Sequence, residues 1–307
     1  MIRGAKLDMK PLNKHKCSLL KRPLRARINL TASLACLLAS FTFSSVLWAG
    51  EGKLVATAGL SQIEGAGGGG LTPWATLAGY DTRDEMSVGV FSSQANVDDF
   101  RLTVWGMSAS FYDRVEVSFA QQTFDLTTAG GDIRQNILGL KARLYGDVIY
   151  STWPQLALGL QHKTLLDGTT AEVLGADNSD RGTDFYLAAT KVHLGIVCGY
   201  NLVWNLTLRA TKANEMGLLG FGGSENKGYE VMGEGSVGVL LSEHLALGME
   251  YRQKPDNLGL KEDDWKDLFI SYIPNKNISL TLAWAELGTI AGAKDQNGWY
   301  LGLNASL

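Results

Sequence analysis

Seven charged side chains share one property: Lys141, Arg143, Lys191, Arg209, Glu230, Glu234 and Glu250 all fall on the polar faces of segments that alternate residue by residue. If those faces line a closed interior, the four cations come from the middle of the chain and the three carboxylates from the strands that follow. Set across a solvated lumen, such walls would produce a transverse field that selects solutes by charge and dipole. Set in contact, with Arg252 and Glu116 joining them, they would fill a narrow interior as ion pairs. The residue pattern leaves both arrangements open.

Other chemistry is sparse. His162 ends an alternating strand, His193 falls among inward positions, and Ser242-Glu243-His244 makes a tight turn. A Ser and a His two apart in one turn suit backbone hydrogen bonding better than a nucleophile and its base. No His, Cys or acidic group has metal-ligand spacing, so no catalytic residue, metal or cofactor is expected. Glu64 to Gly70 shares its glycines with phosphate-binding loops but lacks the Lys-Ser/Thr that completes one. These glycines read instead as a flexible entrance that lets Lys53 to Ser61 either add a strand or fold into a lumen as a plug.

The elements that must carry the charged residues are strands. Leu156, Leu158 and Leu160 alternate with Gln155, Ala157, Gly159 and Gln161. Leu202, Trp204, Leu206 and Leu208 alternate with Asn205, Thr207 and Arg209. The same holds for Leu245 to Arg252, for Ile278 to Ala285 and for the closing run Trp299 to Leu307. Period two repeated this often belongs to strands, not helices. Further strands are expected near 73–80, 86–93, 101–112, 114–122, 134–146, 182–194, 228–241, 265–273 and 297–307, with the phase of 101–112 ambiguous.

Although 45% of the chain is hydrophobic, no stretch after Gly50 reaches the roughly 18 apolar residues of a transmembrane helix. One face of each strand is Leu, Val and Trp, and the other is Gly, Ala, Ser, Thr and charged residues. A soluble sandwich or propeller would bury its apolar faces and show more Lys and Glu. A membrane protein without helical spans must close its hydrogen bonds in a ring. The expected fold is therefore all-β: a single transmembrane antiparallel β-barrel of about 12–14 strands, from residue 71 to 307, after a Gly-rich segment over 50–70.

Trp105, Trp153, Trp204, Trp265, Trp284 and Trp299 are candidates for interfacial girdles. Short turns at Tyr112-Asp113-Arg114 and Pro274 to Asn277 suit a periplasmic rim, and the longer stretches 165–181, 214–228 and 254–264 suit the outer face. Within the second of these, Gly217 to Gly223 reads as an external loop, with an inward constriction as the alternative.

Residues 1–49 read as a cleaved signal peptide: basic residues up to Arg27, an apolar run from Ile28 to Ser45, and a cut near Ala49. A retained anchor is the alternative, but the run is short for a bilayer span. Nine of the 28 Lys and Arg and one of the 31 acids lie in this leader, so the remainder carries about −11 against −3 for the whole chain. An acidic exported chain without basic clusters is not a nucleic-acid binder. Only Cys198 follows the leader, so no intrachain disulfide is expected.

Gly68–Ala75, Phe111–Glu116, Asp184–Lys191, Leu208–Asn214, Gly217–Gly223, Tyr251–Leu258 and Gly298–Leu301 together resemble a proteobacterial family of exported proteins classed as a domain of unknown function. The resemblance implies a Gram-negative origin and an outer-membrane setting, and it brings no catalytic residues. The expected partners are outer-membrane lipid, a small solute and, during biogenesis, the barrel-assembly machinery. The leading expectation is a channel or passive transporter for small solutes, without enzymatic activity. A plugged structural barrel, serving envelope or exopolysaccharide assembly, is the alternative, and a lipid-modifying barrel enzyme the third.

Overall fold

The computed structural model describes residues 53, 55, 60–128 and 130–307. The expected leader and its cut near Ala49 lie outside these residues. Twelve strands form one closed antiparallel ring, each paired with its neighbours in chain order. A two-residue ribbon, β1 (Leu60–Ser61) and β2 (Gly67–Gly68), precedes them. The wall runs β3 (Met86–Val97), β4 (Phe100–Phe111), β5 (Val115–Leu126), β6 (Asp132–Tyr145), β7 (Gln155–Leu165) and β8 (Arg181–Val197). It continues through β9 (Tyr200–Thr211), β10 (Glu230–Leu240), β11 (Leu245–Arg252), β12 (Trp265–Asn275), β13 (Ile278–Ile290) and β14 (Ala293–Ser306). Pairing of β14 with β3, from Gly298 opposite Val97 to Ser306 opposite Gly89, closes the ring and leaves no free edge.

Alternation along each strand sorts the side chains. Leu158, Leu206, Met249 and Leu282 are among the exposed outward residues, while Ala157, Asn205, Glu250 and Thr281 are buried inside. A ring that is apolar outside and hydrogen-bonded throughout is the architecture of a transmembrane wall. Trp284 and Trp299 face outward as a cross-strand pair, ring centroids 4.9 Å apart. Trp265 does not join such a girdle; it is buried inside, with the Arg252 and Lys254 charges 5.7 and 5.3 Å from its ring.

The connections separate into two ends. The links 112–114, 146–154, 198–199, 241–244 and 276–277 share one end with the start of β3 and the finish of β14. The links 166–180, 212–229 and 253–264 stand at the other, the first containing the one-turn helix α1 (Thr169–Val173).

Two expectations fail here. Residues 73–80 form no strand of the wall, which begins at Met86, and Leu71 to Tyr80 is almost entirely buried within the ring. The stretch Ala213 to Gly223 does not project outward; it too folds inward and is almost entirely buried. The strand β4 shows why its phase was ambiguous. Its inward face is apolar at Leu102 and Val104 and becomes Gly106, Ser108 and Ser110 further along. Leu102 and Val104 belong to an apolar cluster inside the ring with Ile63, Leu71, Met216 and Leu218.

Candidate functional site

The Gly-rich segment occupies the lumen, and its shape follows from its glycines. Gly65, at φ 97°, turns the chain so that the Gln62 N–H reaches the Ala66 carbonyl at 2.9 Å. The next three glycines serve close approach. A Cβ on Gly67 would lie 2.8 Å from Glu116 Oε2, and one on Gly68 2.3 Å from the Thr72 carbonyl oxygen. Any larger residue would have to displace the backbone or the carboxylates that hold it.

Those carboxylates come from the wall. Glu116 on β5 accepts from the N–H groups of Gly67 at 2.9 Å and Ala78 at 2.7 Å. Glu250 on β11 accepts from the Leu71 N–H at 2.7 Å and the Thr72 hydroxyl at 2.8 Å. Lys141 on β6 donates to the carbonyls of Gly67 and Thr76, at 2.7 and 2.8 Å, and pairs with Glu116 at 3.1 Å. Gln122, Gln155, Thr190 and Thr207 add bonds to the backbone at Ile63, Ala75 and Pro73. Wall side chains thus supply the partners that buried backbone groups require.

The segment also contributes a charge of its own. Glu64 is fully buried and pairs with Lys163, with Arg252 at 2.8 Å and with Arg209 at 3.4 Å. The same cations meet Asp184, 2.6 Å from Lys163 and 3.2 Å from Arg209, and Glu234, 2.5 Å from Arg209. Three cations therefore face three carboxylates in one buried cluster, so charge balances only while Glu64 is present. A buried carboxylate is tolerated where its Coulomb and hydrogen-bond partners offset desolvation.

The seven charged candidates divide between this interior and the two mouths. Lys141, Arg209, Glu234 and Glu250 are buried and hold the segment or its ion cluster. Arg143 sits at the short-turn end, on Asp113 and on Asp147 at 3.2 Å. Lys191 caps the carbonyls of Asp147, Ile149 and Ser151 there. Glu230 begins β10 at the opposite end and accepts from Asn226 at 2.5 Å. Of the seven, Lys141, Arg143, Arg209 and Glu234 are in contact with opposite charges and not held across solvent from them, while Lys191, Glu230 and Glu250 bind neutral groups.

Lys163, Asp184 and Glu64 were not singled out from sequence. Lys163 lies in phase with Gln155 and Gln161 on β7, and Asp184 with Tyr186, Ala188 and Thr190 on β8, so extending each polar face would have reached them. Glu64 belongs to no periodic pattern and becomes visible only in three dimensions.

At the long-loop end the inward stretch is fastened by a second ion group. Lys254 donates to Glu215 at 2.6 Å, to Glu262 at 3.0 Å and to the Thr289 carbonyl at 3.1 Å. Burial, partly offset by Lys254, and the neighbouring Glu262 push the Glu215 carboxyl up to about 8. Glu215 and Met216 both hold positive φ, 44° and 60°, a conformation costly for residues with a side chain.

The histidines are engaged elsewhere. His162 Nδ1 is 2.9 Å from the Thr183 hydroxyl, His193 Nε2 accepts from Trp204 Nε1 at 3.0 Å, and His244 Nδ1 is 2.8 Å from the Ile273 carbonyl.

The family model described as "Protein of unknown function (DUF3034)" matches residues 57–304, and the chain belongs to that family. No curated protein matches it. Among solved structures, a KdgM porin aligns over 71% of this chain and 99% of its own, at 11% identity and a TM-score of 0.45. The Acinetobacter baumannii outer membrane protein Omp33 aligns over 74% and 99%, at 9% identity and 0.43. A NanC porin aligns over 72% and 98%, at 8% identity and 0.44.

Proposed function

We propose that this DUF3034 protein is a Gram-negative outer-membrane barrel of the channel type that its own N-terminal segment holds shut. The observation that carries the reading is the ion cluster at Glu64, where one carboxylate of the segment completes the charge balance of a buried wall cluster. A lumen lined with Lys141, Lys163, Arg209, Glu116 and Glu234 suits charge-selective passage of small solutes once the segment leaves. Seated, the segment blocks the path.

A second reading, a permanently plugged structural or assembly barrel, is favoured by one observation. Ile63 and Leu71 of the segment share an apolar cluster with wall and loop residues, and an aqueous pore gains nothing from such a layer.

Planar-bilayer conductance of the full chain and of Glu64→Lys separates the two. Glu64→Lys places a fourth cation among three, so the channel reading expects a silent wild type and a folded, conducting variant. A variant that migrates as a folded barrel yet never conducts would favour the permanent plug.

A further inference from the structure

Beside the seated segment, at the short-turn end, lies a cavity of about 290 Å³. One side is the segment and its exit, with Thr76, Leu77, Thr82 and Arg83. The other is wall and rim, with Asp113, Arg143, Gln155 and the loop Asp147 to Tyr150. Lys53 also borders it.

The charges around this space are unequal in what they have left to offer. Asp113 is shared by Lys53 at 2.9 Å and by Arg143. Asp147 accepts from Arg143 at 3.2 Å and from the N–H groups of Ile149 and Tyr150 at 2.9 and 2.8 Å. Those bonds outweigh the partial burial of Asp147 and hold its carboxyl below the usual value. Both acids are therefore committed. Arg83, by contrast, is exposed and has no ion pair or hydrogen bond among the described residues.

A second group is also left unsatisfied. Thr76 is only 5% exposed, and its hydroxyl has no hydrogen-bond partner among the described residues. A buried hydroxyl without a partner costs about 1–3 kcal/mol, and a ligand that meets it recovers that cost. Leu77, Val148, Ile149 and the 83% exposed Tyr150 give the rest of the lining an apolar and aromatic character. A free guanidinium, an unpartnered hydroxyl and an apolar wall suit a molecule with an acid group at one end and a carbon body.

We propose that this cavity is a binding site for a small organic anion, its acid group on Arg83 and a second oxygen on Thr76. The site faces the short-turn end, where the segment passes into β3. It stands whether or not the segment ever leaves, because every lining group is in place with the segment seated.

The test is calorimetric titration of the full-length protein in detergent, at constant ionic strength, with succinate and with glycerol 3-phosphate. Saturable binding of at least one is expected, weakened about tenfold by Arg83→Gln and about fivefold by Thr76→Val. Thr76→Ser, which keeps the hydroxyl, should bind as wild type does. Arg114→Gln, which removes a cation from the same rim but outside the cavity, should change nothing. Absence of saturable binding by both probes, or equal losses in Arg83→Gln and Arg114→Gln, would overturn the proposal. A silent Glu64→Lys barrel that still binds succinate would refute the channel reading and leave this site intact.

Discussion

Gly69 and Glu250 are so close that a Cβ on the glycine would lie 2.0 Å from Glu250 Oε1, the oxygen that accepts the Thr72 hydroxyl. The missing side chain is thus a condition for the carboxylate to hold the segment. Gly69→Ala should force Glu250 off its partners and loosen the segment by about 1–3 kcal/mol, the usual cost of overpacking. Limited proteolysis in detergent should then cut within residues 60–80 of a barrel whose heat-modifiable migration is unchanged. Protection equal to wild type would count against the close packing.

Lys141→Met and Lys191→Met should differ although both remove a cation from an inward position. Lys141 is 1% exposed and holds two backbone carbonyls and Glu116, so its loss strands a buried carboxylate at about 3–5 kcal/mol. Lys191 caps loop carbonyls near the rim and should cost about 1–2 kcal/mol. Urea midpoints of refolded protein read the difference, and equal shifts would contradict it.

Leu206→Arg and Thr207→Arg probe the two faces of β9. Leu206 is 62% exposed outward, and arginine there should lower folded yield in lipid by about 2–4 kcal/mol if it sits near the bilayer midplane. Thr207 is buried and donates to the Pro73 carbonyl at 2.7 Å. Its replacement should leave the wall assembled but displace the segment, read as proteolysis without loss of barrel migration.

Glu215 makes the long-loop end sensitive to pH. Its carboxyl is raised when folded, to about 8 from an ordinary 4.5, so between those values the folded form binds a proton that the unfolded form has lost. Stability from this group is therefore greatest below about 4.5, falls as pH rises and levels off above about 8. Hydrogen-exchange protection over 213–223, corrected for the base-catalysed intrinsic rate, should fall from pH 5 to pH 9, and Glu215→Gln should flatten the dependence. An identical pH profile in the variant would remove Glu215 as the cause.

What was legible in the chain was whatever one bilayer-facing side could impose. Leu156 to Leu160, Leu202 to Leu208, Leu245 to Tyr251 and Ile278 to Trp284 face outward as their alternation requires. The interior was harder to read because it is not uniformly polar. Leu102, Val104 and Trp265 face inward onto an apolar layer, which blurs the phase of β4 and made Trp265 look like a girdle residue. Residues 73–80 have strand-like composition but, apart from Pro73 and Trp74 against the ribbon strand β2, pair with wall side chains and not with a strand of the wall. Contacts of the Glu64 kind, with Arg252 188 positions away, leave no local trace.

The reach of the segment around the ring bears on how the ring is made. Its bonds go to Glu116 on β5, Lys141 on β6, Thr190 on β8, Glu250 on β11 and, through the Ser61 N–H, Asn304 on β14. Those strands can all be touched at once only at one girth and one stagger of the wall. The first part of the chain therefore acts as an internal gauge: a ring joined one residue out of register along the β3–β14 seam would leave Asn304 or Glu116 out of reach.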